Sequence, residues 1–146
     1  MAKAEYTQVV NVPLQTFYDT VVDYEAYPKF VDGCKKVEVK RDSDNKAIVK
    51  YSVSMIRDLR YTLEQNENRD EGKMSWKLIE SDTQKANEGL WTLKSVEDGK
   101  KTEVTYAIDI EFNIAVPSFI LGKLVKSSLP MMVRGFEKHA LSKSMK

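Results

Sequence analysis

The chain offers few side chains that could carry covalent or metal chemistry. It contains one cysteine, Cys34, and one histidine, His139. A nucleophilic thiol needs a neighbouring base that a third group orients, and a protein metal site needs several ligands. The sequence also has no glycine-rich phosphate-binding loop. We therefore predict no metal and no cofactor, and a catalytic Cys34–His139 pair is a minor hypothesis.

Aromatic residues with polar tips are the next candidates. They stand at the apolar positions of segments in which apolar and polar residues alternate. Buried Tyr and Trp side chains need hydrogen-bond partners, and a ligand carbonyl or hydroxyl could be such a partner. The residues alone are equally consistent with a ligand pocket and with a packed core. In an enzyme, the tyrosines of this set and Arg57 would be the candidate proton donors. The set is Tyr51, Tyr61, Trp76, Trp91 and Tyr106.

The C-terminal segment concentrates positive charge. From Pro117 to Lys146 it has six basic residues and one acid, so its net charge is +5 while the rest of the chain is at −4. A basic helix face can dock on anionic lipid or RNA, although a solvated helix face is the simpler interpretation. The candidate basic face consists of Lys123, Lys126, Arg134 and Lys138.

Hydrophobic periodicity predicts the elements that position these residues. Ala2 to Val12 forms a first strand, a short helix starts at Pro13, and a second helix or turn holds Tyr24 to Phe30. From Gly33 to Phe112 the alternation predicts a series of strands. From Pro117 onward apolar residues recur at steps of three and four, which predicts a long C-terminal helix.

Proline and the alternation refine this prediction. Tyr27 precedes Pro28, so we expect Tyr27 to lie outside the α region. Pro130 removes a backbone donor from the C-terminal helix, which predicts a kink near Lys126. Strict alternation gives each strand one dry and one wet face, which is typical of an antiparallel sheet covered on one side.

Length and composition favour a single domain over residues 1–146. The chain is 42% hydrophobic and 31% charged, as in ordinary soluble proteins. Its net charge of +1 gives no reason to expect DNA as a partner. The N-terminus lacks the apolar run of a signal peptide, and no segment approaches the roughly 20 apolar residues that span a bilayer. We expect a cytoplasmic protein, and its oligomeric state stays open.

The order of elements resembles the START-like (SRPBCC) superfamily of birch-pollen-allergen-like helix-grip proteins. The local sequence is most similar to the branch of polyketide cyclases/dehydrases and coenzyme Q-binding proteins. Val22 to Phe30 resembles its D-x-E-x-Y-P-x-F segment, Gly89 to Leu93 its G-x-W strand, and Phe112 to Phe136 its closing helix. The resemblance implies an α+β fold in which about seven antiparallel strands curve around the long C-terminal helix.

This resemblance also implies an internal cavity. We therefore predict a non-catalytic carrier or sensor that holds a lipid-, quinone- or polyketide-like molecule inside the sheet. Met55 and Ile56 are expected at the cavity mouth, as a gate or as an ordinary loop anchor. The predicted cavity residues are Tyr51, Val53, Tyr61, Leu63, Trp76, Trp91, Leu93, Tyr106, Ile108, Phe119, Leu121 and Val125.

Two alternative functions stay open. A polyketide cyclase or aromatase would position a reactive chain and donate protons to it. A protein similar to the ribosome-association toxins would act through the basic C-terminal helix, and the same face would suit peripheral contact with a membrane.

Overall fold

A computed structural model describes residues 2–31, 33–54, 58–112 and 129–144 of the chain. The strands are β1 (Ala2–Val10), β2 (Cys34–Ser43), β3 (Lys46–Ser54), β4 (Asp58–Asn68), β5 (Lys73–Ser81), β6 (Gln84–Val96) and β7 (Lys101–Phe112). They form one antiparallel sheet in the order β1-β7-β6-β5-β4-β3-β2. Strands β2 to β7 therefore form a meander, and β1 pairs with β7 at one edge of the sheet.

The helices confirm the predicted α+β architecture. They are α1 (Leu14–Val21), α2 (Tyr27–Phe30) and, at the C-terminal end, α3 (Leu129–Ser144), with 3-10 turns at Tyr24–Ala26 and Glu97–Gly99. The predicted helix start near Pro117 and the predicted kink near Lys126 lie outside the described residues. No helix among the described residues is long and apolar enough to cross a membrane.

Irregular pairing curves the sheet. The register between β4 and β5 shifts at Thr62 and Leu63, where β5 has the extra residue Ile79. The register between β6 and β7 shifts at Gln84 and Ala86, where β6 has the extra residue Lys85. Such bulges bend a strand and increase its twist, so the sheet acquires a concave inner face. A short turn joins β6 to β7, and its residues Asp98 and Gly99 have positive φ of 58° and 84°.

Helix α1 is fixed to the sheet by its aromatic residues. Phe17 and Tyr18 are buried, and the Tyr18 hydroxyl donates a hydrogen bond to the carbonyl of Lys73 on β5 at 2.9 Å. The Arg69 guanidinium lies 4.6 Å from the centre of the Tyr18 ring. These contacts seal one end of the concave face, because α1 contacts β6, β7 and α3.

The expectation for Tyr27 is wrong. Its φ of −52° and ψ of −42° are helical, although it precedes Pro28. The Tyr27 hydroxyl donates a hydrogen bond to the carbonyl of Val21, the last residue of α1, and the ring packs 5.3 Å from that of Phe136. Buried packing and a satisfied helix end therefore outweigh the local preference against helix before proline.

Candidate functional site

The five aromatic residues singled out above come together on the inner face of the sheet. We call Tyr51, Tyr61, Trp76, Trp91 and Tyr106 the aromatic patch. Tyr51 and Tyr61 are paired across β3 and β4 and stack with ring centres 5.2 Å apart. The Tyr106 ring stacks on Trp76 at 5.3 Å and meets Trp91 edge-on at 4.8 Å. Five neighbouring strands thus each contribute one ring to the inner face, in two groups of contacting rings.

Of the other predicted cavity residues, the structure describes four and leaves the rest undescribed. Leu63 and Leu93 are buried, while Val53 and Ile108 are partly buried against the same core. The remaining predicted residues, both at the cavity and at its mouth, lie outside the described part of the chain. These are Phe119, Leu121, Val125, Met55 and Ile56, and the candidate proton donor Arg57 is also among the residues that are not described.

Gly89 lets Trp76 lie flat on the sheet. The two residues face each other across β5 and β6. A Cβ at position 89 would come within 2.2 Å of Trp76 Cζ2 and 2.5 Å of the Ala107 carbonyl oxygen. The glycine of the G-x-W segment therefore has a steric role, because any side chain would displace the indole ring.

A buried amide pair holds the Trp76 indole in place. Its Nε1–H donates a hydrogen bond to Asn87 Oδ1 at 2.9 Å, and Asn87 Nδ2 donates to Gln84 Oε1 at 3.1 Å. Both amide residues are buried on β6. The tip of Trp76 is therefore satisfied by the protein itself.

Unlike the Trp76 indole, Gln65 and two of the patch tyrosines have polar atoms that form no hydrogen bond in the described structure. Gln65, 2% exposed on β4, donates from Nε2 to the Tyr51 hydroxyl, but its Oε1 has no hydrogen-bond partner in the described structure. Among the hydrogen bonds of the described residues, none involves the hydroxyls of Tyr61 or Tyr106. Two of the three tyrosine hydroxyls of the aromatic patch thus form no hydrogen bond with the described residues.

Burial fixes the protonation of these groups. Loss of solvent raises the pKa of Tyr51, Tyr61 and Tyr106 above the ordinary value of 10.0, and neighbouring tyrosines raise it further for Tyr51 and Tyr106. Burial also raises the pKa of the Cys34 thiol to about 11. At neutral pH all four groups are uncharged, so they can form hydrogen bonds but are poor nucleophiles or bases.

The structure does not bring Cys34 and His139 together as a catalytic pair. No hydrogen bond joins them among those that the described residues make, and the His139 ring stacks on Phe30 with centres 4.3 Å apart. Nor do the described residues contain a group of three or more His, Cys, Asp or Glu side chains that could hold a metal ion.

A second aromatic group anchors α3 beside the patch. Phe136 is 2% exposed and lies at its centre. We call Phe17, Tyr27, Phe30 and Phe136 the anchor cluster; the rings of the first three lie 6.3, 5.3 and 4.9 Å from that of Phe136. Trp91 joins the two groups, since its ring is 4.9 Å from Phe136 and 4.8 Å from Tyr106.

Two residues of the predicted basic face are described. Arg134 and Lys138 are exposed on α3. The one acid near them, Glu137, accepts a hydrogen bond from the Asn11 amide at 2.7 Å and so faces the end of β1. Lys123 and Lys126 lie outside the described residues.

A depression of about 470 Å³ lies elsewhere, over β1, β6 and β7. Of the predicted cavity residues it includes Ile108 alone. Its lining of Glu5, Glu88, Ala107 and Asp109 alternates with inward residues such as Tyr106, so most of the depression belongs to the outer face of the sheet.

The buried amides of Gln65, Gln84 and Asn87 were not predicted from the sequence. A usable signal exists for Gln65, because it extends the alternation of Tyr61 and Leu63 by one step and is the first polar residue on that dry face. Asn87 likewise precedes Gly89 and Trp91 on the inner face of β6. A polar residue in an apolar register is a candidate for a ligand contact.

Comparison with known proteins supplies the family context. Residues 10–137 match the family described as "Polyketide cyclase / dehydrase and lipid transport". No curated protein matches the sequence.

Solved structures show the same fold at low identity. The Zhui aromatase/cyclase from Streptomyces sp. R1128 is 13% identical with a TM-score of 0.85, over 97% of this chain and 94% of that protein. A START superfamily protein from Mycobacterium smegmatis is 16% identical with a TM-score of 0.82, over 96% and 97%. A protein from Thermus thermophilus is 18% identical with a TM-score of 0.81, over 97% and 99%. These similarities extend over nearly the whole length of each chain.

Proposed function

This chain belongs to the polyketide cyclase/dehydrase and lipid transport family, and from that premise we propose that it binds a hydrophobic small molecule on the inner face of its sheet without transforming it. The family supports hydrophobic ligand binding or cyclase activity. The choice between them depends on the chemistry of the aromatic patch.

The unused polar tips of the patch are the observation that carries the proposal. The Oε1 of Gln65 is buried without a hydrogen-bond partner in the described structure, and the hydroxyls of Tyr61 and Tyr106 form no hydrogen bond with the described residues. Leaving a buried polar group unpaired costs about 1–3 kcal/mol. A bound molecule that offers both apolar surface and a polar group would remove this cost.

The rings themselves would supply most of the affinity. Each ligand CH₂ that leaves water contributes about 0.8 kcal/mol. An aromatic pair adds about 0.5–1.5 kcal/mol beyond the area it buries. A ligand with a flat ring or an unsaturated chain therefore suits a surface on which Tyr51, Tyr61, Trp76 and Tyr106 already stack pairwise at 5.2 and 5.3 Å.

Protonation favours a carrier over an enzyme. A general acid or base works best when its pKa lies near the working pH. The tyrosines of the patch have pKa values raised above 10.0 by burial, and the pKa of Cys34 is raised to about 11. These side chains can position a ligand, but at neutral pH they do not readily exchange protons with it.

The two tryptophans of the chain make the proposal testable. Both Trp76 and Trp91 belong to the patch, so a bound quinone would quench the intrinsic fluorescence. Titration with menadione should give saturable quenching with one binding site per chain. Quenching that rises linearly, as it does for free N-acetyltryptophanamide, would count against ligand binding at the patch.

The competing interpretation is that the protein is a cyclase, since it shares its fold with an aromatase/cyclase. A carrier returns its ligand unchanged. Repeated binding and release of a linear polyketide mimic should therefore leave the chromatographic retention and mass of the mimic unchanged. A cyclised product that forms faster with protein than in buffer would establish the enzyme instead.

The basic face of α3 supports a second function, salt-sensitive association with the ribosome. Arg134 and Lys138 are exposed, while Glu137 is engaged by the Asn11 amide and does not lie between them as a counter-charge. The double variant Arg134→Glu, Lys138→Glu should abolish co-sedimentation with ribosomes at low salt. Undiminished co-sedimentation would rule out this face as the contact.

A further inference from the structure

We propose that the ligand carries a hydroxyl group, as an alcohol or a phenol, and that Gln65 and Tyr51 bind this hydroxyl. The inference rests on the proposed function and adds to it the chemical class of the ligand and a residue that determines specificity. Its basis is the pattern of used and unused hydrogen-bonding atoms around Gln65.

Gln65 lies in the middle of the inner face. Its neighbours across the sheet are Ala47 on β3 and Trp76 on β5. The side chain is 2% exposed, so bulk water does not satisfy it. One amide N–H reaches the Tyr51 hydroxyl, and Oε1 has no hydrogen-bond partner within the described structure. Ala47, the neighbour on β3, has a small side chain and no hydrogen-bonding group that could pair with this amide oxygen.

The pair presents one free acceptor, Gln65 Oε1, and free donors in the Tyr51 O–H and the second Gln65 N–H. Oε1 of Gln65 can accept a hydrogen bond. Tyr51 accepts from Gln65 and makes no other hydrogen bond in the described structure, so its own O–H can donate. A hydroxyl group is the small function that satisfies the acceptor and one of the donors, because it donates one hydrogen bond and accepts another. A ketone only accepts, and it would leave Gln65 Oε1 unpaired.

The surroundings disfavour an anionic ligand. The buried polar residues that the structure describes are all neutral: Thr20, Gln65, Thr83, Gln84, Asn87 and Thr102. A carboxylate or phosphate that entered this region would lose its hydration without gaining a counter-charge from the described side chains. The polar end of the ligand is therefore an uncharged hydroxyl.

Isothermal titration of the unmodified protein with four probes on one ring scaffold tests the inference: 2-naphthol, 2-acetonaphthone, 2-methylnaphthalene and 2-naphthoate. We expect 2-naphthol to bind about 10-fold more tightly than 2-methylnaphthalene, since that ratio corresponds to one buried polar group left unpaired. Equal affinities for these two, or a preference for the ketone or the carboxylate, would overturn the inference. Absence of binding by all four would contradict the proposed function itself.

The variant Gln65→Leu assigns the effect to the residue. It should bind 2-naphthol and 2-methylnaphthalene within about twofold of each other, because the acceptor is gone. The matched control is Gln8→Leu on β1, where Gln8 Oε1 is already occupied by the Tyr6 hydroxyl at 2.5 Å. This control should keep the full preference. A preference that survives in Gln65→Leu would contradict the assignment, and if that variant fails to fold, the probe series on the unmodified protein decides.

Discussion

The helical segments around the anchor cluster and the aromatic patch of the sheet both contain tyrosines, yet the tyrosines of the two regions use their hydroxyls differently. Around the helices every tyrosine hydroxyl that the structure describes has a protein acceptor. The bonds run from Tyr18 to the Lys73 carbonyl (2.9 Å), from Tyr24 to the Glu67 carboxylate (2.6 Å) and from Tyr27 to the Val21 carbonyl. In the patch, the hydroxyls of Tyr61 and Tyr106 donate to no described residue.

This difference separates stability from binding. Satisfied aromatic residues with T-shaped contacts, such as Phe136 with Phe30 at 4.9 Å and 89°, are typical of a region that holds elements together. Aromatic residues that keep unsatisfied tips lower the stability of the empty protein. Such residues are better explained by a ligand than by the fold.

The largest expected effect is the loss of stability that follows a substitution in the anchor cluster. Phe136→Ala should lower the free energy of unfolding by about 3–5 kcal/mol, because it empties the space between α3, Phe17 and Trp91. Urea denaturation measures the loss. Met131→Ala on the same helix, 57% exposed, should change stability by less than about 0.5 kcal/mol. Similar losses for both would mean that Phe136 does not anchor α3.

The next effect is on ligand affinity. Tyr106→Ala removes a ring that contacts both Trp76 and Trp91, and it should weaken menadione binding about 10-fold or more. Lys50→Ala, exposed on the outer face of β3, should leave the affinity unchanged. Fluorescence titration of the two variants compares them directly. Equal effects would contradict the inward assignment of the patch.

A smaller effect distinguishes the two kinds of hydroxyl. Tyr27→Phe should cost about 1–2 kcal/mol of stability, because it leaves the carbonyl of Val21 at the end of α1 without its donor. Tyr106→Phe removes a hydroxyl that has no described partner, so it should leave the free energy of unfolding unchanged or raise it slightly. If Tyr106→Phe lowered stability more than Tyr27→Phe, the comparison between the regions would be wrong.

The smallest expected effect near neutral pH is the pH dependence of the unfolding free energy, which comes from the ionisation of buried side chains. The pKa of Tyr61 is raised by burial above its ordinary value of 10.0, so the folded state favours the protonated form. The resulting stabilisation is complete below pH 10 and is lost as the pH rises toward the folded-state pKa. The unfolding free energy should therefore decline slightly from about pH 8, where the thiol of Cys34 ionises in the unfolded chain, and fall further above about pH 10 as the tyrosines do. Tyr61→Phe should lessen that fall, and an equal fall in the variant would exclude Tyr61 as its source.

Alternation predicted the inner face of the sheet well, because a period of two assigns every side chain to a face as soon as one strand is recognised. Tyr51, Trp76, Trp91 and Tyr106 are accordingly buried. Tyr27 could not be predicted in the same way, since its helical backbone depends on contacts with Phe136, which is distant in sequence.

The amides show a second limit of sequence reasoning. Gln65 and Asn87 are polar residues at inward positions, and composition alone gives such residues to the surface. Only the pairing of the strands reveals that Asn87 is used by Trp76 while Gln65 Oε1 is not used by the protein. The distinction between an amide whose oxygen the protein uses and one whose oxygen has no described partner therefore required the three-dimensional contacts.

Native mass spectrometry of freshly purified protein tests most directly whether the aromatic patch binds an apolar ligand. We predict a population heavier than the bare chain by the mass of one neutral organic molecule, which organic extraction removes and 2-naphthol can replace. A spectrum that shows only the bare chain, both after purification and after incubation with menadione and 2-naphthol, would contradict the account.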